Sequence, residues 1–264
     1  MKKWFLTVLM ILSLVLGINL KSYALLGVDV YGSVWMENPD GNLSYKGDTL
    51  SLKDLLGFDT EYQPFVTAKI ETLGLIRFYA SYSKLSFEGE NTWNKQFKFA
   101  DYTFNASVPF ESSLKVDQMD LGIYFGIPFL HTATKVVTLG FSGIDIEFGA
   151  ILKIFKFNGK IDQPQTGISK EADFTVPLPL LYAGAEIDIG ALKIEGEGKA
   201  IKYKDNHFYE AMARVKMKIF GIPVTGPDVY IHAGYRYQDV EGEFSDVNVS
   251  FKVQGPFAGV GVNF

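Results

Sequence analysis

The chain has 264 residues, a formal net charge of −5 and no cysteine. Without cysteine it has neither a disulfide nor the lipidated cysteine of a lipoprotein, so packing and hydrogen bonds must hold its fold. The acidic balance argues against a nucleic-acid partner, because phosphates need a basic surface. Its 22 phenylalanines, 14 tyrosines and 26 glycines favour strands and tight turns.

The first 24 residues differ from the rest of the chain. Two lysines precede an apolar run from Trp4 to Leu20, and small residues, Ser22 and Ala24, follow at −3 and −1 of a cleavage point. This order predicts a secretory signal peptide over 1–24 and one domain over 25–264. An anchor helix or a buried core helix is the alternative. Removing the segment takes away three lysines, so the net charge would move from −5 to −8.

The pattern that decides the fold class is an alternation with period two. Strand side chains point to opposite faces, so each segment divides by parity. In 209–219 the odd positions are apolar or tyrosine, whereas most even positions are charged, and 120–127, 144–154 and 181–189 repeat the pattern. A soluble sandwich alternates too. These segments, however, have the length of about 10 residues that a tilted strand needs to span a membrane.

The segments predict an all-β, transmembrane, antiparallel up-and-down β-barrel of ten strands, with eight as the alternative. The predicted strands are 26–37, 62–72, 75–88, 114–127, 138–154, 173–189, 192–204, 207–220, 228–241 and 251–264. An even count places both termini in the periplasm. The connections 38–61, 89–113, 155–172 and 242–250 are then extracellular, together with a short Asp205-Asn206 turn, whereas 73–74, 190–191 and 221–227 face the periplasm.

The C-terminus carries a second signal. Ala258, Val260, Val262 and Phe264 share one face of the last predicted strand. A terminal strand that ends in phenylalanine, with apolar residues at alternate positions, resembles the signal read by the outer-membrane barrel assembly machinery. The sequence therefore predicts an outer-membrane location, with membrane lipid and that machinery as partners and no known surface partner.

Four motifs resemble a family of small predicted outer-membrane β-barrel proteins of Gram-negative bacteria. They are LSLKDLLGFDTE (50–61), LPLLYAGAE (178–186), GYRYQDVEGEF (234–244) and GPFAGVGVNF (255–264). The resemblance covers most of the chain after residue 24 and implies the fold and the location. It lends no activity, so it implies no catalytic residue.

The turns also predict which charged residues face each other in the lumen. A two-residue hairpin at Asp205-Asn206 makes the numbers of opposite residues sum to 411. The predicted pairs of this lumen charge ladder are Glu197 with Arg214, Glu195 with Lys216, Glu71 with Arg77, and Asp188 with Lys193. Such cross-strand pairs stabilise a sheet by about 0.2–1 kcal/mol each. The ladder favours an occluded lumen, and a narrow ion-conducting path is the alternative.

Residues with catalytic or metal-binding potential are scattered. His131, His207 and His232 lack metal-ligand spacing, so no metal and no cofactor are predicted. His232 shares the inward face with Arg236, and a barrel enzyme would need an acid or a serine beside it. The acids that alternate along the strands are better explained as lumen faces than as general acid–base pairs or a Ca²⁺ site.

The first long connection contains a local element. Ser51, Asp54 and Gly57, with the leucines between them, predict a capped single helical turn that packs on the barrel mouth or offers an apolar edge to a partner.

We therefore predict a non-enzymatic, porin-like barrel of the cell envelope with a structural role or a narrow passage for small solutes. A surface-binding or adhesion protein acting through loops 38–61 and 89–113 is the first alternative. Its contact area would come from the aromatics Trp93, Phe97, Phe99, Tyr102 and Phe104. A barrel-embedded enzyme is the second alternative.

Overall fold

The fold is described from a computed structural model. It describes residues 26–72, 76–127, 130, 134, 142–221, 227–244 and 247–264. The predicted signal peptide, His131 and the predicted turn at 73–74 lie outside these ranges, as do 138–141 of the fifth predicted strand and 222–226 of the last predicted periplasmic connection.

Ten long antiparallel strands form a closed barrel. Each pairs with its neighbour in chain order, and the last strand pairs with the first, from Asp29 opposite Asn263 to Tyr45 opposite Val247. The strands are β1 (Leu26–Tyr45), β2 (Leu50–Ser51), β3 (Glu61–Thr72), β4 (Ile76–Thr92), β5 (Phe97–Phe99), β6 (Tyr102–Phe104), β7 (Pro109–Gly126), β8 (Gly143–Gln163), β9 (Ile168–Ile189), β10 (Leu192–Tyr203), β11 (Asn206–Gly221), β12 (Asp228–Phe244) and β13 (Val247–Asn263). The short β2 extends the sheet edge beside β1, and β5 pairs with β6 in a hairpin. Within the described residues no helix is long and apolar enough to cross a membrane.

The predicted fold class is confirmed, and the ten-strand count is right. The predicted long connections are too long, however, because several strands continue far beyond the membrane-spanning length. β8 and β9 fill most of 155–172 and leave a turn at 164–167, and β12 and β13 fill all of 242–250 except 245–246. Strand pairing in these extensions satisfies the backbone N–H and C=O groups of the two strands. We call the end with 46–60 and 93–108 the outer end.

The outer face carries an apolar band around the inner half of the barrel. Outward-facing residues such as Ile146, Phe148 and Met217 are exposed, and Leu181 is 75% exposed. Nearer the outer end the same face becomes charged, for example at Glu88 and Lys156. A soluble protein would bury such a band, so the band is the surface that faces lipid. The parity predicted from the sequence is confirmed.

The β10–β11 hairpin turns one residue earlier than predicted, which shifts the pairing register of its two strands by two residues. Tyr203 pairs with Asn206, so the turn is formed by Lys204 and Asp205, and opposite residues sum to 409. Lys204 takes a left-handed backbone conformation with φ of 55°. The sequence predicts the turn at Asp205-Asn206, because Asp and Asn favour turns. The shift of two residues changes each partner but leaves each side chain on its predicted face.

The outer half of the lumen is filled by an apolar plug, which we define as the buried residues of connections 46–60 and 93–108. The predicted helical turn is present: Ser51 Oγ accepts a hydrogen bond from Asp54 N at 3.2 Å, and Phe58 N donates to Leu52 O at 2.9 Å after Gly57, whose φ is +71°. Its apolar side chains point into the barrel and meet those of the β5–β6 hairpin. The plug consists of Leu50, Leu52, Leu55, Leu56, Phe58, Phe97, Phe99 and Phe104.

Candidate functional site: the lumen charge network

The inner half of the lumen is filled by ion pairs. Ion pairs with N–O distances within 4 Å link eight acids and eight bases of the described residues, which we call the lumen charge network. Its members are Glu71, Asp120, Asp145, Glu147, Glu186, Glu195, Glu197 and Glu210 with Lys69, Arg77, Lys153, Lys193, Lys199, Arg214, Lys216 and Arg236. All lie at inward positions of their strands, because the side chains of each strand alternate between the lumen and the outer face.

Glu195 is the centre of the innermost group. Its carboxylate lies 2.5 Å from Lys69 Nζ, 2.7 Å from Arg214 Nε and 2.8 Å from Lys216 Nζ. The side chains are almost fully buried, and the Arg214 guanidinium also lies 4.1 Å from the ring of Tyr31. Three cations around one carboxylate leave excess positive charge, so neighbouring acids are needed to balance it.

Those acids come from the neighbouring strands β8 and β9 and from β10 itself. Lys69 Nζ also lies 3.4 Å from Glu197 and 3.5 Å from Glu147, which bonds to Arg77 in turn. Glu186 forms ion pairs with Lys216 and Lys193. Altogether the innermost group contains six of the acids and five of the bases.

A second group lies nearer the middle of the barrel. Lys199 Nζ is 2.6 Å from Asp120 and 2.9 Å from Glu210, and Lys153 Nζ is 2.8 Å from Asp120 and 3.1 Å from Glu210. Arg236 completes it at 3.2 Å from Glu210. Two acids and three bases give this group one excess positive charge. The innermost group, with six acids and five bases, has one excess negative charge, so the two balance.

Tyr79 joins the two groups. Its hydroxyl donates to Glu197 Oε1 at 3.1 Å and accepts from Lys199 Nζ at 3.1 Å. The network is therefore continuous and neutral across the lumen. Buried charges are costly unless they are paired and hydrogen-bonded, and this network satisfies that condition for most of its atoms.

The predicted ladder residues all belong to strands that face this lumen, but not all predicted pairs form. Glu71 lies opposite Arg77 at 3.0 Å, and Asp188 lies opposite Lys193. The predicted cross-strand pairing of Glu197 with Arg214 is wrong, because the corrected register places Arg214 opposite Glu195 and Met212 opposite Glu197.

Glu195 and Lys216 are likewise not opposite residues, since Lys216 pairs with Lys193. They still form an ion pair at 2.8 Å along the diagonal. The predicted ladder lacks most cross-lumen members of the network, namely Lys69, Asp120, Lys153, Lys199 and Glu210. Their signal was available: each is a charged residue at an inward position of its strand.

The two described histidines, His207 and His232, form no metal centre. Within the described ranges no group of three or more His, Cys, Asp or Glu residues is arranged to hold a metal ion. His232 lies beside Ser33, with Nε2 3.4 Å from Oγ, and both side chains are buried. Its Nδ1 has no hydrogen-bond partner among the described residues, so the acid that would orient the ring of a catalytic histidine is missing from this pair.

The predicted C-terminal signal residues lie at the seam where the barrel closes. Ala258 and Val260 face outward in the apolar band, and Phe264 exchanges backbone hydrogen bonds with Val28, at 2.9 and 3.3 Å. The last strand thus completes the ladder with the first.

Comparison with known proteins finds likeness of fold only. No protein-family model and no curated protein matches the chain. Among solved structures, the outer membrane protease OmpT from Escherichia coli is 9% identical, with 90% of this chain and 96% of that chain covered and a TM-score of 0.47. Ail, the attachment invasion locus protein of Yersinia pestis, is 13% identical, with 90% and 99% covered and a TM-score of 0.36. OprG from Pseudomonas aeruginosa is 10% identical, with 90% and 95% covered and a TM-score of 0.31.

These three structures are small outer-membrane β-barrels of Gram-negative bacteria and include a protease and an attachment protein. Their superposition on this chain is too loose to transfer a role, so the strand pairings alone carry the assignment. The predicted resemblance is confirmed at the level of the fold: the chain is a closed, ten-stranded antiparallel β-barrel of the outer-membrane type.

Proposed function

We propose that this chain is a non-enzymatic integral protein of the outer membrane that contributes to envelope structure, with a lumen closed to free ion flow. The main observation in support of this proposal is that the lumen is filled at two successive levels. The charge network fills the inner half, and the apolar plug fills the outer half. An ion passing through would have to separate buried ion pairs and then cross an apolar layer, and both steps are costly.

The alternative of an adhesion protein has less support. The aromatics of 93–104 would have to be exposed to supply contact area, yet Phe97, Phe99 and Phe104 are buried in the plug. Tyr102 is half exposed but stacks under Lys170, whose Nζ lies 3.2 Å from the ring centroid. An enzyme is supported less still, because the Ser33–His232 pair is buried among the cations of the network and has no access to substrate.

The test is electrical. Purified protein, shown to be folded by faster gel migration unboiled than boiled, is inserted into planar bilayers, and insertion is checked by protection of the strands from protease. We expect no steady current. Reproducible unit steps from the wild-type protein would contradict the closed lumen and favour the narrow passage instead.

A further inference from the structure

The barrel wall is low at the β10–β11 hairpin, where β10 is as short as β3, at 12 residues. The two strands of the hairpin have 12 and 16 residues, against 20 for β1, 21 for β8 and 22 for β9. β9 pairs with β8 as far as Ile168, but its pairing with β10 ends at Leu181. The outer part of β9 therefore has an open edge, and a lateral notch lies between it and β12.

Two prolines account for this open edge. N–H groups of alternate strand residues point to the same neighbour, so Pro177 and Pro179 remove two successive donors from one side of β9. Pairing with β8 continues past both prolines, opposite Ile154 and Leu152. The missing donors are therefore assigned to the β10 side, where pairing stops.

An apolar pocket lies behind the notch, inside the barrel. Its cavity volume is about 50 Å³. Its floor is the amide pair of Gln118 and Gln238, which separates it from the charge network. The other lining residues are all apolar: Leu85, Val116, Phe155, Phe157, Phe174, Val176, Leu178, Val240, Val249 and Phe251.

The exposure of these inward side chains shows where the pocket opens. On the far wall Leu85 is 1% exposed and Val116 is 5% exposed. Beside the notch, Val176 and Leu178 on β9 and Val240 on β12 are only half-buried, although they also face inward. The glutamine pair closes the pocket at its inner end, and the half-buried side chains beside the notch place the mouth on that side of the barrel.

The mouth lies at the outer edge of the apolar band. Leu181 is the last fully lipid-facing leucine of β9, and the outward positions beyond the prolines become polar at Thr175. Two exposed cations, Lys202 and Lys204, lie at the hairpin tip beside the exposed Asp205, and neither lysine forms an ion pair with an acid of the described residues. Apolar contact below and free positive charge at the rim are the two features that an anionic lipid requires.

We propose that the notch admits one acyl chain of an anionic lipid of the outer leaflet into the pocket, with the headgroup held at Lys202 and Lys204. A cavity of about 50 Å³ suits the end of one hydrocarbon chain and excludes a bulky ring system. This inference is independent of whether the lumen conducts ions, because the pocket lies above the glutamine floor.

The experiment uses the full barrel in nanodiscs of phosphatidylglycerol, a fraction of which carries a photoreactive diazirine at the end of one acyl chain. After irradiation, the labelled residues are mapped by mass spectrometry. We expect label on the inward residues Phe174, Val176 and Leu178, in addition to label on the outer face. Label confined to outward residues of the wild-type protein would overturn the proposal without any variant.

Two variants sharpen this result. Val176→Trp should fill the pocket and abolish the inward label, whereas Ala183→Trp, on the outward face of the same strand, should retain it. Gel mobility confirms that both are folded. Inward label that survives Val176→Trp would also overturn the proposal.

The headgroup assignment is tested separately. Lys202→Gln with Lys204→Gln should reduce inward label from phosphatidylglycerol, and a phosphatidylcholine probe should label the wild-type pocket less. Equal inward label from the two lipids would overturn the assignment to an anionic lipid.

Discussion

Gln118 on β7 and Gln238 on β12 join opposite walls of the barrel through two reciprocal amide hydrogen bonds of 3.1 and 2.9 Å. Each glutamine also reaches the charge network: Lys153 Nζ donates to Gln118 Oε1 at 3.2 Å, and Gln238 Nε2 donates to Glu210 Oε2 at 2.8 Å. The pair is thus a boundary with charge on one side and hydrocarbon on the other.

Replacing either glutamine by leucine should destabilise the barrel by about 1–3 kcal/mol, because the partner amide loses its hydrogen bonds while it stays buried. The double variant Gln118→Leu, Gln238→Leu should cost less than the sum, since no amide is then left without its partner. Unfolding by urea in detergent, followed by gel mobility, measures these values. Gln254→Leu on the exposed outer face is the matched control, and additive costs would show that the amides act independently.

Removing the charge of Glu195 should be among the most damaging single changes in the network. Glu195→Gln leaves Lys69, Arg214 and Lys216 without their shared carboxylate, and an uncompensated buried charge costs about 3–5 kcal/mol. Adding Arg214→Met should recover part of this loss, because Glu195 is the acid that forms an ion pair with Arg214. Melting temperature is the measurement, with exposed Glu88→Gln as control. A Glu195→Gln barrel as stable as wild type would mean that the network contributes nothing to stability.

The plug is held by a close approach of backbone to backbone at Gly89. A Cβ there would lie 2.2 Å from Leu56 O. Gly89→Ala should therefore displace the helical turn, cost about 1–3 kcal/mol and expose 46–60 to protease. Gly32→Ala is the control, because a Cβ at Gly32 meets nothing within 4 Å. Limited proteolysis of intact cells or nanodiscs gives the readout, and equal cleavage of the two variants would refute the plug.

The apolar band predicts where charge is tolerated on the outer face. Arginine at Ala213 or Ile146 lies within the band and should reduce insertion, since a cation near the bilayer midplane costs about 2–4 kcal/mol. Thr175→Arg faces outward beyond the band and should insert normally. The yield of heat-modifiable protein in lipid vesicles compares the three. Similar yields would show that the membrane does not surround the barrel at this level.

Much of this fold follows from local rules. A strand alternates with period two whatever it pairs with, so the sequence alone determined which residues of 144–154 or 209–219 face lipid and which face the lumen. For the same reason the shift of two residues at Lys204 changed the partners of Glu195 and Glu197 without moving either from the lumen.

The sequence by itself therefore determined the architecture and the polarity of each face, and it narrowed the strand number to ten or eight. Only the tertiary structure decided which charges meet, because Lys69 and Glu195, or Gln118 and Gln238, are more than 100 residues apart and touch only once the barrel closes. It also decided that the apolar side chains of 50–58 turn inward and that the wall is low beside Pro177. Pairing across a lumen depends on barrel diameter and on the stagger of all ten strands together, which no local pattern encodes.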